Sequence, residues 1–354
     1  MMKFAKISGC LFFLTTLLSI NFSCLPSKND YIASPKGDVS HKIDTSLWLK
    51  ETRGIRDIVE DRNRNIWFSS PDYVAMYDGQ SIRYFNKGNE LAITGNLHQD
   101  INGTIWVENG VRAFRYEGES FIEEKIDSII GSGNLWFQRG LSPSDTTYTQ
   151  PGLYVINYLS TSFHPFPVEK NIENKYLYFP TTKAYHGKDT VVWVGTMEKV
   201  FGLQDTSFIT IGRKEMGREN DDRQMGIRGI FVDRKGDLWI ADNGAGIFVF
   251  DGHRTIDFTK KYGLTKNSGA AKTLHRAFSI AEDTLGQMWL GTAYSGIWAF
   301  NPRTEEFTNY SSDQGVNSEL IWTIFLTSGG ELLFAGESPA AVYRFNGITF
   351  DRIF

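Results

Sequence analysis

From Leu47 to Phe354 the chain alternates short apolar runs with clusters of Asp, Asn and Gly. Ile55-Arg-Asp-Ile-Val59, Val74-Ala-Met-Tyr77, Ile227-Arg-Gly-Ile-Phe231 and Ile247-Phe-Val-Phe250 represent the runs. Short apolar runs bounded by turn residues predict β-strands. Nothing in the chain has the spacing of a long amphipathic helix. Two kinds of turn separate the strands. One is Asp-x-x-Gly, as in Asp100-Ile-Asn-Gly103, Asp233-Arg-Lys-Gly236 and Asp283-Thr-Leu-Gly286. Its Asp accepts from the backbone two residues on, and its Gly supplies a positive φ. The other is a two-residue hairpin, as in Asp78-Gly79, Glu117-Gly118, Asp251-Gly252 and Asn346-Gly347, which joins adjacent antiparallel strands.

Residues 233–252 hold one full phrase: turn, strand with Trp239, glycine-rich loop, strand, hairpin. Alignment on the tryptophan recovers Trp67, Trp106, Trp136, Trp193 and Trp289, plus a seventh copy with Leu333 in that place. The offsets are 39, 30, 57, 46, 50 and 44 residues, averaging 44. Units of about 40–50 residues are the size of a four-stranded propeller blade. The expected fold is all-β, a seven-bladed β-propeller of four-stranded antiparallel blades over residues 47–354. Two blades are degenerate: blade 3, with a short inner strand, and blade 4, with no Asp–Gly turn before Trp193. The tryptophans are read as packing between blades rather than as ligand stacks.

Residues 1–24 stand apart. Lys3 and Lys6 precede a mostly apolar run from Ile7 to Ile20. This has the shape of a secretory leader rather than a membrane span, which takes about 20 apolar residues. The leader closes on Ser23-Cys24 and resembles a bacterial lipoprotein signal, which implies a lipid on Cys24 and a membrane anchor. Asn21 and Phe22 depart from the small or aliphatic residues usual before that cysteine, and ordinary secretion is the alternative. Residues 25–46 are polar and are read as a flexible linker. Cys10 and Cys24 are the two cysteines, so the repeats hold no disulfide and no cysteine metal site. Without Lys3 and Lys6 the balance is 35 basic against 41 acidic residues. A nucleic-acid partner needs a basic footprint, and none is expected.

The order apolar strand, Asp-x-x-Gly-x-Leu-Trp, Gly-Thr, apolar strand resembles the two-component regulator propeller repeat. Blade 6 is nearest, with Asp283-Thr-Leu-Gly-Gln-Met-Trp-Leu-Gly-Thr292 and Gly296-Ile-Trp-Ala-Phe-Asn-Pro302. The resemblance runs over about residues 47–354. It implies a periplasmic ligand-sensing propeller of the kind joined to hybrid histidine kinases. The sequence departs from those in showing no connector, span or kinase before Phe354, so a signal would pass through a partner. Streptogramin lyases are built from similar Asp-x-x-Gly-x-x-Trp repeats, with a His general base and a metal near the mouth. His275 is the counterpart here, and no companion acid matches. The reading adopted is a non-enzymatic, lipid-anchored envelope propeller that binds a small molecule, a glycan or a protein. A metal-dependent lyase and a structural scaffold of an envelope complex are the alternatives.

By analogy with other propellers, the first strand of each blade lines the channel. The loops between strands 2 and 3 and the connections between blades share one face. The long insertions, residues 138–150, 212–224 and 260–272, fall on that face, and loops this long are often functional. Five residues before the turn aspartate or its equivalent stand Arg56, Gly95, Arg228, Phe278 and Trp322. Four before it stand Asp57, Asn96, Gly229, Ser279 and Thr323, a small and polar set suited to a narrow wall. Arg56 and Arg228 are candidates for holding a carboxylate or sulfate. Trp322, with Tyr148 or Tyr294, is a candidate for stacking on a sugar ring. Asp242 and His275 are placed at the same mouth. The bland alternative pairs Arg56 and Arg228 with Asp57 or Asp242 and leaves Trp322 to fill space. No two histidines have metal-ligand spacing, and Asp61-Arg-Asn-Arg-Asn65 lacks the Gly and terminal Glu of a calcium loop. Neither a metal nor a cofactor is expected.

Overall fold

The computed structural model describes residues 47–85, 95–110, 112–140, 150–168, 175–187, 190–219 and 226–354. They form seven antiparallel sheets, each from one contiguous stretch of chain. Blade 1 sets the pattern, running outward through Asp57–Glu60, Ile66–Ser69, Val74–Tyr77 and Ile82–Phe85. The inner strands that follow are Asn96–Gln99 in blade 2, Tyr185–His186 in blade 4 and Ile227–Val232 in blade 5. Blades 6 and 7 contribute Ala277–Glu282 and Leu320–Leu326. The fold is a seven-bladed propeller with mostly four-stranded blades.

Blade 3 differs from expectation. Its sheet has three strands and starts at Leu135–Arg139. The chain has only residues 125–134 in which to leave Phe121–Glu124 and reach that strand. It spends them on a 3-10 turn, Ile126–Ser128, and on Gly131 and Gly133, both at positive φ (78° and 42°). A strand and two reversals do not fit in that length, so the inner strand is lost rather than shortened. Blade 4 keeps a two-residue inner strand.

The repeated Asp does more than shape the turn. In blades 1, 2, 5 and 6 one carboxylate oxygen takes two backbone N–H groups of the turn. The other accepts the indole N–H of the tryptophan six residues on. These indole bonds are Trp67 to Asp61 (2.9 Å), Trp106 to Asp100 (3.0 Å), Trp239 to Asp233 (2.9 Å) and Trp289 to Asp283 (3.0 Å). A buried indole N–H needs such a partner. Blade 7 lacks both members of the pair: Thr327 replaces the Asp and Leu333 the Trp, and the Thr327 hydroxyl caps the turn at Glu331 N (3.0 Å). Trp67, Trp106 and Trp289 are almost wholly buried, and Trp193 and Trp239 nearly so. Trp136 of blade 3 is only half-buried.

The ring closes by contact between blades 7 and 1 without exchange of a strand. Ile55 N donates to Gly336 O (3.2 Å), and Ser328 donates its N and Oγ to Glu60 (2.5 and 2.9 Å). Phe354 packs on Phe68 and Tyr77 with ring centroids 5.0 and 4.9 Å apart.

Candidate functional site

The mouth is built by a defect in the strand ladder. In blades 5, 6 and 7 the inner strand carries one residue too many. Ile227 faces Asp242 but Gly229 faces Ala241, which leaves Arg228 extra. Phe278 is extra between Ala277 and Ser279, and Trp322 between Ile321 and Thr323. A bulge kinks the strand and re-aims the extra side chain. All three extra residues line one cavity at the starts of the inner strands. Arg56 joins them from just ahead of the blade 1 inner strand, where its N–H donates to Ser69 O (2.7 Å). Gly95 offers no side chain at that offset in blade 2, and a Cβ there would lie 2.0 Å from Glu108 O.

The cavity itself holds about 60 Å³, well below the roughly 300–1,000 Å³ usual for sites that enclose a whole small ligand, so it has room for a small polar group rather than an enclosed molecule. Arg56, Arg228, Phe278 and Trp322 form its upper wall; Asp57, Asn96, Thr182, Lys183, Ser279 and Thr323 lie alongside, with Ile230, Ile280 and Ile324. Glu337 ties the wall together. Arg56 Nη1 lies 2.6 Å from its carboxylate, and Trp322 Nε1 donates to the same oxygen. The Arg56 guanidinium sits 3.8 Å above the Trp322 ring, and Phe278 meets that indole edge-on at 4.8 Å. Burial pushes the Arg56 guanidinium below its usual value against the pull of Glu337; Arg53 and Arg228 push it the same way as burial. Arg228 Nη1 lies 2.9 Å from Met197 Sδ.

Arg56 takes Glu337 rather than the Asp57 weighed from the sequence, while Arg228 attracts the Asp242 weighed there. Asp57 is paired instead with Lys183, whose Nζ lies 2.9 and 3.2 Å from its two oxygens. Asp242 is buried at the end of the second strand of blade 5. Its oxygens accept from Gly226 N (3.0 Å) and Ala245 N (2.8 Å), and Arg218 Nη1 lies 3.9 Å away. Burial pushes its carboxyl up, opposed by Arg218 and those two N–H groups. Ser70, Thr196 and Thr292 occupy the same repeat position and bond within the same loop. Asp242 is therefore also part of the repeat's turn chemistry.

Two further candidates lie elsewhere. Tyr294 is exposed, at positive φ (64°), with the Arg276 guanidinium 4.9 Å from its ring. His275 Nδ1 lies 2.5 Å from Thr273 Oγ1. Neither is part of the cavity lining. Among the described residues no group of three His, Cys, Asp or Glu side chains could hold a metal. Tyr148 and Cys24 fall outside the described residues. Lys183, Thr182 and Glu337 were missed from the sequence. Lys183 had a signal: it lies ten residues before Trp193, as Asp57 lies ten before Trp67.

No family model matches the chain, and no curated protein matches its sequence. Solved structures do match. The extracellular domain of BT4673 from B. thetaiotaomicron, described as a hybrid two component system, superposes with a TM-score of 0.60 at 18% identity, over 85% of this chain and 40% of that one. The WD40 β-propeller domain of Doa1 matches with a TM-score of 0.53 at 12% identity, over 85% and 96%. Virginiamycin B lyase from Staphylococcus aureus matches with a TM-score of 0.47 at 11% identity, over 86% of each chain. The chain spans about two fifths of the length of the sensor ectodomain. At such identities the likeness is one of fold: a propeller resembling the extracellular domains of two-component sensors.

Proposed function

We propose that this protein is a non-enzymatic, ligand-binding propeller of the cell envelope, held to a membrane by a lipid on Cys24. It takes a small molecule, a glycan fragment or a protein segment at the cavity mouth, and a partner carries any signal onward. The observation that supports this most is the use of bulges. Three blades break their ladders at the same position, and each break turns its extra residue, Arg228, Phe278 or Trp322, into one cavity. Breaking the ladder sacrifices pairing, and bulges gather where a side chain is re-aimed for use. The likeness to sensor ectodomains points the same way.

Recognition by charge is favoured over recognition by stacking, because Arg56 already covers one face of Trp322. A thermal-shift screen of acidic and neutral oligosaccharides tests the mouth. Stabilisation should fall at least tenfold in apparent affinity in Arg56→Ala and Arg228→Ala. Stabilisation that survives both changes places the ligand elsewhere. Palmitate labelling should appear on the wild type and vanish in Cys24→Ala.

A further inference from the structure

We infer that Lys183 is a swinging anion anchor of the mouth site, which leaves Asp57 to grip an acid group of the ligand. The inference rests on the mouth as the ligand site and names the side chain that moves there. Asp57 and Lys183 hold the same repeat position, ten residues before the blade tryptophan, on blades 1 and 4. Two blades separate them on one side of the ring and three on the other. Their ion pair therefore spans the cavity that both line.

The two partners are held very differently. Asp57 is anchored from behind: Oδ1 accepts from Ile58 N (2.9 Å) and Oδ2 from Leu97 N of blade 2 (2.8 Å). Each oxygen keeps a donor when the lysine leaves. Its side chain is 6% exposed, against 20% for Lys183, so the ammonium stands on the cavity side. The Lys183 backbone is fixed, since its carbonyl accepts from Thr182 Oγ1 (3.0 Å) and Tyr185 begins the inner strand. Beyond that base lies a four-carbon stem carrying a compact charge. Among the described residues its ammonium bonds go to Asp57. An incoming carboxylate or sulfate offers an equal bond, with Arg56 on the same wall. Exchange leaves both Asp57 oxygens with an N–H donor, although the carboxylate gives up its counter-cation, a cost that the bond to the incoming anion has to offset. The expected ligand is a small soluble oxyanion, and Asp57 is its intramolecular competitor.

The test titrates inorganic sulfate and D-glucuronate separately into the full chain at low ionic strength by calorimetry. Asp57→Asn frees Lys183 from its competitor and should tighten anion binding about tenfold, since a sequestered binding state lowers apparent affinity. Lys183→Met should weaken binding by a similar factor, Lys183→Arg should retain it, and Asp57→Asn with Lys183→Met should lose the gain. No tightening in Asp57→Asn, no binding by that variant, or a gain that survives loss of the lysine overturns the inference. Arg56→Met separates this from the wider reading. If it weakens binding while the Asp57 and Lys183 variants do not shift it, the mouth stands and the swing falls. If no variant alters binding, both fall. Sulfate without glucuronate assigns the site to inorganic or sulfated ligands, and the reverse assigns it to carboxylates; either keeps the anchor.

Discussion

Blades 5 to 7 and blades 3 to 4 solve the same packing problem with different material. The first set is regular. Its inner strands run six to seven residues, starting at Ile227, Ala277 and Leu320, with one bulge each. Blade 3 has no inner strand and blade 4 has two residues of one. The regular half presents short or stiff groups at the offset ten before the tryptophan: Gly229, Ser279 and Thr323. Gly229 is required there, because a Cβ would meet Phe278 O at 2.4 Å. The irregular half presents Lys183 at that offset, and it reaches the far wall. Regular repeats make a tight wall, and their decay leaves room for a long charged side chain to cross the channel.

The largest effect should come from the tryptophans. Trp289→Ala, or Trp106→Ala, removes a fully buried ring and should cost about 3–5 kcal/mol in urea unfolding. Trp136→Ala, in the blade without an inner strand, should cost about 1–2 kcal/mol, because a half-buried ring loses less area. Equal losses at Trp136 and Trp289 would erase the distinction between the two halves.

Next comes the aspartate under the ring. Asp283→Ala deprives two backbone N–H groups and the Trp289 indole of their acceptor, which should cost about 2–3 kcal/mol. Thr327→Ala at the same place in blade 7 removes a hydroxyl cap with no indole above it. Its cost should be about 1 kcal/mol. The unfolding midpoints of the two variants decide the matter, and a loss at Thr327 as large as that at Asp283 would mean the indole bond adds nothing.

The legibility of the chain follows from that same pair. Turn, tryptophan strand and hairpin are local, so their spacing revealed the blades. The Asp–Trp bond was also legible in principle: the two recur six residues apart in four blades, and blade 7 loses both together. The bulges were not, because an extra residue shows only against its partner strand, and the alignment fixed Arg228 and Trp322 without saying where they would turn. Lys183 was passed over because blade 4 has no turn aspartate from which to count. Glu337 ends the second strand of blade 7, at a place where the other blades carry no recurring residue, and its pairing with Arg56 depends on ring closure across almost the whole chain.

At the mouth, Glu337→Gln tests whether the regular half holds its own wall. Trp322 donates to this carboxylate and Arg56 is ion-paired with it, with Arg56 and Glu337 about a quarter exposed. Loss of the charge should cost about 1 kcal/mol, since solvent screens such a pair. The Trp322 fluorescence should shift as well. Unchanged emission with unchanged stability would show that Glu337 does not order the stack.

The smallest effect is one of pH and belongs to the irregular half. Burial pushes the Lys183 ammonium down, but Asp57 and Tyr185 outweigh it and hold it above the usual lysine value of 10.5. A cation whose folded value lies above its unfolded value binds its proton more tightly when folded. Its contribution is complete below the unfolded value and is lost as pH rises through the folded one. Wild type should therefore lose stability between about pH 10 and the folded value, and Lys183→Met should lose less over the same interval. Urea midpoints measured at pH 8, 9, 10 and 11, read as the difference between the two proteins, isolate Lys183 and the Tyr185 hydroxyl coupled to it from other alkaline titrations. Lys183→Arg keeps its charge throughout and should show no such step. A constant difference between wild type and Lys183→Met across the series would mean that the charge on Lys183 does not link blades 1 and 4. The irregular half would then touch the opposite wall by packing alone.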